Sequence, residues 1–404
     1  MKFFVVLLVL VAFTRGQFNP YFWPNHNTIV YLLDWKYSDV ALECENFLGP
    51  KGFGGVQVSS PAENAIITDP YNRPWWERFH VLSYIIGSRS GNQDDFADMT
   101  ARCNNLGAAG FRIFAAKHMW PTDLEAIYSS LSNLNEDYGF SPNCRPYIYQ
   151  DVIDLGGEAV NKYEYIPLGL VSEYNASQSL ADIFRGNRPL SVLATWGEAE
   201  WNFVPSANAI VFVENEQNEL DTWYFGRVLN YKDGKPYIMA IAFLLAHPFG
   251  NPLLNSDYEW TDPNEGPPMD DDQNILSPVI NKKGTCDSPY VCQHRWPQVC
   301  SMVTFRNQVG DASFCNFWSN GNNQIAFARE GQGFIVVNNN DKKLWQTLQT
   351  TLPEGTYCDV ITGYVKNDEC TGRSIEVADD GTAEFIIYTD DPNGVIAIHT
   401  GQML

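Results

Sequence analysis

The stretch GFRIFAAKHMW, residues 110–120, decides the fold. It joins an apolar strand that ends at Phe114 to an exposed Lys117-His118 turn, and Pro121 then opens a helix. Strand, loop and helix in this order are typical of one βα unit of a parallel sheet, in which the carboxyl end of the strand faces the substrate. The residue at that end is Phe114, whose phenyl ring can neither attack a substrate nor carry a proton. The sequence therefore predicts an enzyme scaffold that lacks a reactive group at its most informative position.

Length and composition predict a globular, secreted protein. The chain has 404 residues, of which 45% are hydrophobic and 18% charged, enough for one large domain and a small one. Residues 1–16 combine a basic start, an apolar run and a small residue, Gly16, which is typical of a secretory signal peptide. No later run approaches the roughly 18 apolar residues of a membrane span. We therefore expect an extracellular protein with no membrane partner.

The charge balance narrows the class of ligand. There are 26 Lys and Arg against 48 Asp and Glu, which gives a formal net charge of −22. Such a charge argues against nucleic acid and anionic membranes as partners. A neutral carbohydrate is compatible with it, and the 14% aromatic content suits stacking on sugar rings. The alternative is that the charge only keeps a secreted protein in solution.

The order of predicted elements indicates an α/β barrel followed by a β-sandwich. Strands alternate with helices as far as residue 304, which is typical of a parallel (β/α)8 TIM barrel. Only seven barrel strands can be counted, because residues 107–109 are too few to hold a βα unit before the Phe111 strand. Either the barrel, residues 17–304, is open, or a segment has been removed at this join, so the barrel is predicted to be incomplete. Residues 305–404 read as short strands with regular turns, which predicts an all-β sandwich.

Three predicted strand ends carry candidate site residues. The first is Phe114, and the second is Asp151 in YQDVIDLGGE. The third is VFVENEQN, in which Glu214, Glu216 and Gln217 follow an apolar strand. Because the carboxyl ends of parallel barrel strands meet at one face, we expect these three ends to lie close together. Glu216 is one residue away from Gln217 and is expected to point elsewhere on an extended strand end.

Many stretches of the chain resemble one family, the animal α-amylases of glycoside hydrolase family 13, and its insect members most closely. They include DWKYSDVALECENFLGPKGFGGVQVS, RPWWERF, SYIIGSRSGN, FADMTARCN, GFRIFAAKHMWPTDL, YQDVIDLGGEA, LLAHPFG, VCQHRW and LPEGTYCDVITG. The resemblance implies a (β/α)8 barrel with a C-terminal Greek-key sandwich, hydrolysis of starch, and bound calcium and chloride.

The resemblance also implies three catalytic carboxylates, and this chain departs from all three. The family's nucleophile falls on Phe114, its acid/base on Asp151 and its third carboxylate on Gln217. Retaining hydrolysis needs two carboxyl groups about 5 to 5.5 Å apart. We therefore expect a pseudoenzyme without hydrolytic activity. A weak α-amylase that uses Asp151 with Glu216 or Glu158 is the alternative.

The resemblance implies that the cofactor sites are degraded. The family's third strand, its following Asp-and-His motif and its calcium-binding B domain have no counterpart here, and among the calcium ligands only His118 matches. Arg112 and Asn215 match chloride ligands, but the second basic position is Leu253. We therefore expect no calcium, and chloride is doubtful. Arg112 is expected to pair with Glu214 or another buried acid.

Part of the family's sugar-binding surface remains. Trp75 and Trp76 fall where the family stacks glucose rings, and Lys117 and His118 fall where it contacts the leaving side. Packing in the core is the alternative role for the two tryptophans. The leading hypothesis is a monomer that binds α-1,4-glucan or amylase-inhibitor-type proteins. A decayed gene or a skipped exon is a further explanation of the missing segment.

Nine cysteines in a secreted chain predict disulfides and leave at least one thiol unpaired within a monomer. The resemblance implies the pairs Cys44 with Cys103, Cys286 with Cys292, and Cys358 with Cys370. It gives no partner for the remaining three, Cys144, Cys300 and Cys315. One glycosylation sequon begins at Asn175.

Overall fold

The structure, a computed structural model, describes residues 17–107 and 109–404, with only the backbone at Asn105 and Trp223. The predicted signal peptide, residues 1–16, lies outside the described residues. The described helices are α1 (Tyr37–Glu43), α2 (Gln93–Arg102), α3 (Pro121–Ser130), α4 (Tyr174–Phe184), α5 (Glu216–Leu220), α6 (Thr222–Phe225), α7 (Lys235–Ala246) and α8 (Pro297–Val309). The strands up to α8 are β1 (Ile29–Leu32), β2 (Gly55–Val58), β3 (Ala62–Asn64), β4 (Val81–Ser88), β5 (Gly91–Asn92), β6 (Gly110–Ile113), β7 (Tyr147–Gln150), β8 (Leu170–Ser172), β9 (Ala209–Val211) and β10 (Asn251–Ser256).

Seven strands form one curled parallel sheet in the order β2-β1-β10-β9-β8-β7-β6. Every neighbouring pair is parallel, with Ile29 beside both Leu253 and Gly55, and Gly110 beside Tyr147. Gly110 is required here, because an added Cβ would lie 1.9 Å from the Tyr147 carbonyl oxygen. The seven-stranded, barrel-type sheet confirms the predicted fold class.

The sheet is open at one place. Its first and last strands are β2 and β6, and in the described part of the chain neither pairs with a further strand on its outer edge. The predicted missing unit, between Leu106 and Phe111, coincides with this opening. The barrel is thus a seven-stranded wall with a gap where an eighth strand would close it.

The middle strands of the sheet are buried on both faces, as strands of parallel sheets usually are, whereas the edge strands β2 and β6 are partly exposed. All residues of β1, β7, β8 and β9 are buried. Helix α7, KPYIMAIAFLLA, is apolar almost all round, and nine of its twelve residues are buried. It can be apolar all round because it packs against two other helices, α4 and α8.

The second unit is an all-β sandwich. Its strands are β11 (Phe314–Ser319), β12 (Gln324–Arg329), β13 (Gly333–Asn338), β14 (Leu344–Gln349), β15 (Gly355–Cys358), β16 (Val365–Lys366), β17 (Glu369–Cys370), β18 (Ser374–Val377), β19 (Thr382–Ile387) and β20 (Val395–His399). Two four-stranded antiparallel sheets, β11-β12-β13-β20 and β14-β19-β18-β15, enclose a separate apolar core. The boundary predicted between residues 304 and 305 falls inside α8, and the first strand begins only at Phe314.

Arg329 joins the two units. Its guanidinium, on a residue only 1% exposed, donates to the carbonyl oxygens of Ala246 at 2.9 Å, Gly310 at 2.6 Å and Ala312 at 2.7 Å. The first of these ends α7, and the others lie between α8 and β11. These bonds satisfy carbonyls that helix ends leave without an intrahelical partner.

The structure contains the three disulfides that the family resemblance implies, Cys44–Cys103, Cys286–Cys292 and Cys358–Cys370. Cys144, Cys300 and Cys315 are free thiols, and only Cys315 is not buried. No described helix is long and apolar enough to span a membrane.

Candidate active site

The predicted site residues gather at the carboxyl ends of the sheet strands. Phe114 directly follows β6, Asp151 directly follows β7, and Gln217 lies in α5, shortly after β9. Because these strands are parallel, their ends open at one face, as in barrel enzymes.

Phe114 fills its position with apolar contacts. Its ring stacks on that of Phe79, with centroids 4.1 Å apart and planes inclined by 30°. The Cζ atom of Arg112 lies 6.0 Å from the centre of the Phe114 ring, at the outer limit of a cation–π contact. The end of β6 therefore presents a hydrocarbon surface where the family has a nucleophile.

Both carboxylate oxygens of Asp151 are engaged. Oδ2 accepts from Arg112 Nε at 2.8 Å, and Oδ1 accepts from Ser172 Oγ at 2.6 Å. Asp151 is 2% exposed. Its carboxyl group is therefore held by the protein and is not aimed at open space.

Glu216 completes a buried cluster of charges around Arg112. Its Oε1 lies 2.7 Å from Arg112 Nη1, and the residue is fully buried. Burial raises the pKa of the Glu216 carboxyl; Arg112 opposes this, and Asp151 adds to it. Burial disfavours the Arg112 cation, yet Asp151 and Glu216 hold its pKa well above the usual range.

The expectation that Arg112 pairs with Glu214 or another buried acid is confirmed, and an expectation about Glu216 is wrong. Arg112 pairs with Asp151 and Glu216, whereas Glu214 accepts from Tyr237 Oη at 2.5 Å. The view that Glu216 lies on an extended strand end and points elsewhere is wrong, because it is the first residue of α5. A helical turn after Asn215 directs Glu216 back towards Arg112.

Gln217 is held by a neighbouring tyrosine. Tyr174 Oη donates to Gln217 Oε1 at 2.9 Å and accepts from Asn215 Nδ2 at 3.2 Å. The Oδ1 atom of Asn215 caps α5 by accepting from the backbone N–H groups of Gln217 and Asn218. The amide of Asn215 is thus committed at both ends.

These contacts do not fit the family's chloride site. An anion beside Arg112 would lie next to two carboxylates, Asp151 and Glu216, and the third family position is the buried, uncharged Leu253. For calcium, the ring of the matching residue His118 is exposed. Among residues 17–107 and 109–404, no three His, Cys, Asp or Glu side chains come together as metal ligands. The absence of both ions remains a prediction.

Lys117 contacts Glu158, which the sequence suggested only as an alternative catalytic carboxylate. Its Nζ donates to the Ile153 carbonyl oxygen at 2.6 Å and pairs with Glu158. Tyr224 Oη donates to the other oxygen of Glu158 at 2.6 Å. Burial lowers the pKa of Lys117, and Asp154 opposes the shift. Lys117 thus links the loop after β6 to the loop after β7.

The two tryptophans have different environments. Trp75 is 8% exposed, and its Nε1 donates to the Pro263 carbonyl oxygen at 2.9 Å, so it packs in the interior. Trp76 is partly exposed and lies between Tyr71 and His80, with ring centroids 5.7 and 5.4 Å away. We call Tyr71, Trp76 and His80 the aromatic rim.

Two partners in the site were missed from the sequence, Ser172 and Tyr174. Ser172 is the last residue of β8, so its place at a strand end was the available signal. Tyr174 begins α4 next to Asn175 of the predicted sequon, which is partly exposed. Nothing in the spacing of Tyr174 indicates that it would bridge Asn215 and Gln217.

Comparisons with known proteins find similarities over nearly the whole chain. The model of the α-amylase C-terminal all-β domain matches residues 316–401. The chain is 40% identical to an α-amylase of Tribolium castaneum, over 99% of both chains. It is 39% identical to an α-amylase-related protein of Drosophila bipectinata, over 98% of this chain and 97% of the relative. A mutant of α-amylase I from Eisenia fetida, solved with maltohexaose, gives a TM-score of 0.90 at 31% identity, covering 95% of this chain and 99% of that one.

The alignment with the Tribolium protein also gives a minimum number of residues that are missing from this chain. It runs over 490 positions, whereas this chain has 404 residues, so at least 86 positions have no residue here. The open edge between β2 and β6 is where the sheet lacks a strand.

Proposed function

Since this chain belongs to the α-amylase family, we propose that it is a secreted homologue that does not hydrolyse glycosidic bonds and that binds α-1,4-glucan at its aromatic rim. The observation that carries the first part is the ring of Phe114, stacked on Phe79 at the end of β6. A covalent glycosyl intermediate requires a carboxylate at the anomeric carbon. A phenyl ring at that place removes this route.

The remaining carboxyl group supports the same proposal. A general acid must carry a proton and direct it at the leaving oxygen. Asp151 instead accepts hydrogen bonds from Arg112 and Ser172 within a buried cluster. Gln217 offers an amide where the family has negative charge, and its Oε1 is already bonded to Tyr174. A positively charged transition state would find little stabilisation beside Gln217.

Glucan binding rests on the aromatic rim. Tyr71 is 45% exposed, and Trp76 is held by a bond of 3.2 Å from its Nε1 to Asn264 Oδ1. A fixed, partly exposed indole suits stacking on the apolar face of a sugar ring. Lys117 is committed to Glu158, so we assign it a structural role in the loop, and exposed His118 remains a candidate sugar contact.

Weak α-1,4-glucan hydrolysis is the second candidate function, and Glu216 is the observation in its favour. A carboxyl group whose pKa is raised by burial is suited to act as an acid near neutral pH. Glu216 is fully buried, however, so the site would have to open before a substrate could reach it. Glu158 is the other carboxylate that could act with Asp151.

Release of reducing sugar from soluble starch tests the catalytic part. The full secreted chain is compared with Asp151→Ala and with a Phe114→Asp, Asp151→Glu, Gln217→Asp triple variant. We expect no activity from the native chain. Activity that Asp151→Ala abolishes would overturn the proposal and establish the second candidate. Activity gained only by the triple variant would show that the altered carboxylates alone disable the cleft.

Mobility in a native gel that contains amylopectin tests the binding part. We expect the native chain to be retarded, and Trp76→Ala to weaken binding about fivefold, since a stacked aromatic contact contributes about 1 kcal/mol. Trp345→Ala is the matched control, because Trp345 is 57% exposed on the sandwich, away from the rim. A native chain that migrates equally with and without amylopectin would refute glucan binding.

Secretion is part of the proposal because three disulfides suit an oxidising compartment. Expression of the full sequence in insect cells tests it, and we expect the protein in the medium. Retention of the whole chain inside the cells would contradict it.

A further inference from the structure

The gap in the sheet is the entrance to a large cavity. The cavity at the gap has a volume of about 940 Å³. It is lined by the facing edges of β2 and β6, by Tyr31 and Tyr149 from the barrel interior, and by Phe96 of α2 from the helix layer. It therefore passes through the barrel wall, where a strand would otherwise lie. Strand edges without a partner are templates for pairing with another chain.

The side chains that line this cavity carry no unpaired charge. Among its described residues there is no Asp, Glu, Lys or His, although the chain as a whole carries a net charge of −22. Its two cations, Arg78 and Arg112, are paired with Asp34 and Asp151. Phe111 on β6 is 50% exposed at the gap. The cavity thus favours an uncharged segment with large apolar side chains.

The same chain carries such a segment on its surface. Strand β4 reads VLSYIIGS, and its residues Val81, Leu82, Tyr84 and Ile85 are 50%, 68%, 101% and 66% exposed. Exposure of both even and odd positions means that both faces of the strand lack cover. Soluble monomers rarely leave so many adjacent large apolar side chains in water.

The strand and the cavity are continuous on the molecule. Val81, the first residue of β4, itself lines the cavity. A surface that carries an apolar segment beside a matching cavity is self-complementary. Two copies related by a twofold axis can therefore each insert the segment into the cavity of the other.

From this geometry we propose that the protein forms a twofold homodimer in which β4 of each copy covers the gap between β2 and β6 of the other. Leu82, Tyr84 and Ile85 enter the partner's cavity against Phe111 and the apolar edge residues. Each contact occurs twice, so each inserted side chain removes apolar surface from water in both halves of the dimer. The inference rests on the gap and on β4, not on glucan binding, although Phe114 and Arg112 also line the cavity. It revises the monomer expected from the sequence.

Sedimentation velocity on the full secreted chain tests the proposal. We expect twice the chain mass at about micromolar concentration, the range of ordinary specific association. A Leu82→Ser, Tyr84→Ser, Ile85→Ser variant removes the inserted segment, and Phe111→Glu places a charge in the gap. Each is expected to be monomeric. Tyr364→Ser, on a side chain 55% exposed on the sandwich, is the matched control and should remain dimeric.

A mixing experiment makes the test specific. The triple β4 variant retains an intact gap, and Phe111→Glu retains an intact β4, so their mixture can restore one of the two reciprocal contacts. We expect dimers in the mixture at concentrations where each variant alone is monomeric. Circular dichroism of each variant guards against misfolding, and the β4 variant alters only exposed side chains. A monomeric native chain, or a dimer that both variants leave unchanged, would overturn the proposal.

Discussion

The buried pair Glu219 and Asp257 predicts that stability falls as the pH rises. Both residues are 2% exposed. Asn255 Nδ2 donates to Asp257 Oδ1 at 2.6 Å, Gln293 Nε2 donates to Asp257 Oδ2, and Trp260 Nε1 donates to Glu219 Oε1 at 2.9 Å. Burial raises the pKa of Asp257 to about 7. Burial, together with Asp257 and Glu214, raises the pKa of Glu219 well above its usual range.

The sign follows from comparing the folded and unfolded chains. An unfolded aspartate loses its proton near pH 4, whereas folded Asp257 keeps it until about pH 7. The folded state therefore binds more protons between these values, and stability is complete below about pH 4 and is lost as the pH rises towards 7. A shift of this size corresponds to about 4 kcal/mol, since one pKa unit is about 1.4 kcal/mol.

Glu219→Gln is the informative change. The amide keeps an acceptor for Trp260 and supplies a permanent N–H donor towards Asp257, without a second ionisable group. We expect the free energy of unfolding in urea to fall less between pH 5 and pH 8 than in the native chain, with the variant more stable at pH 8. Some decline should remain, because burial also raises the pKa of Glu214 and Glu216.

The control is Glu354→Gln, an exposed carboxylate on the sandwich, which should leave the pH dependence unchanged. If Glu219→Gln and the native chain lose stability in parallel between pH 5 and pH 8, the buried pair does not cause the decline and the reasoning is wrong.

Three further changes test other contacts. Asn215→Ala removes the cap of α5 and should cost about 1 kcal/mol in urea unfolding, and an unchanged midpoint would contradict the capping role. Arg329→Met leaves three carbonyl oxygens without a donor and should cost about 3 kcal/mol, with barrel and sandwich melting as separate steps in calorimetry. In the native protein a thiol reagent should modify Cys315 first, because Cys144 and Cys300 are buried and burial raises the pKa of Cys300 to about 11; rapid reaction of all three would refute this.

Much of the barrel could be predicted because its strands are local apolar runs. Strands such as Ile29–Leu32 and Tyr147–Gln150 are buried on both faces, and continuous apolar sequence is the signal of such strands. The missing unit could also be inferred, since residues 107–109 cannot hold a strand and a helix. The hydrophobic pattern of a strand and the length of a connecting segment can both be read from a short stretch of sequence. Sequence alone is therefore sufficient to predict these features.

The pairing of charges in the site could not be predicted in the same way. Arg112, Asp151 and Glu216 come from three separate segments, and their contacts depend on how far α5 turns after β9. A local signal did exist in ENEQN, because Asn215 is a strong N-cap residue and would have started the helix at Glu216. The choice of Glu216 over Glu214 as the partner of Arg112 is decided by tertiary packing.

The packing around Phe114 predicts that a carboxylate introduced at this position would destabilise the protein. Phe114→Asp would lose the stack on Phe79 and add a third carboxylate near Asp151 and Glu216, with Arg112 as the nearby cation. Truncation of a fully buried phenylalanine costs about 3 kcal/mol or more, and the partly buried Phe114 should cost less, while repulsion from the two neighbouring carboxylates adds to the cost.

We therefore expect Phe114→Asp to lower the thermal midpoint by several degrees, whereas Phe114→Leu, which keeps an apolar side chain, should lower it much less. Differential scanning calorimetry measures both. Equal midpoints for Phe114→Asp and the native chain would mean that the end of β6 still accommodates a carboxylate. In that case the charges around this position would not depend on the phenyl ring.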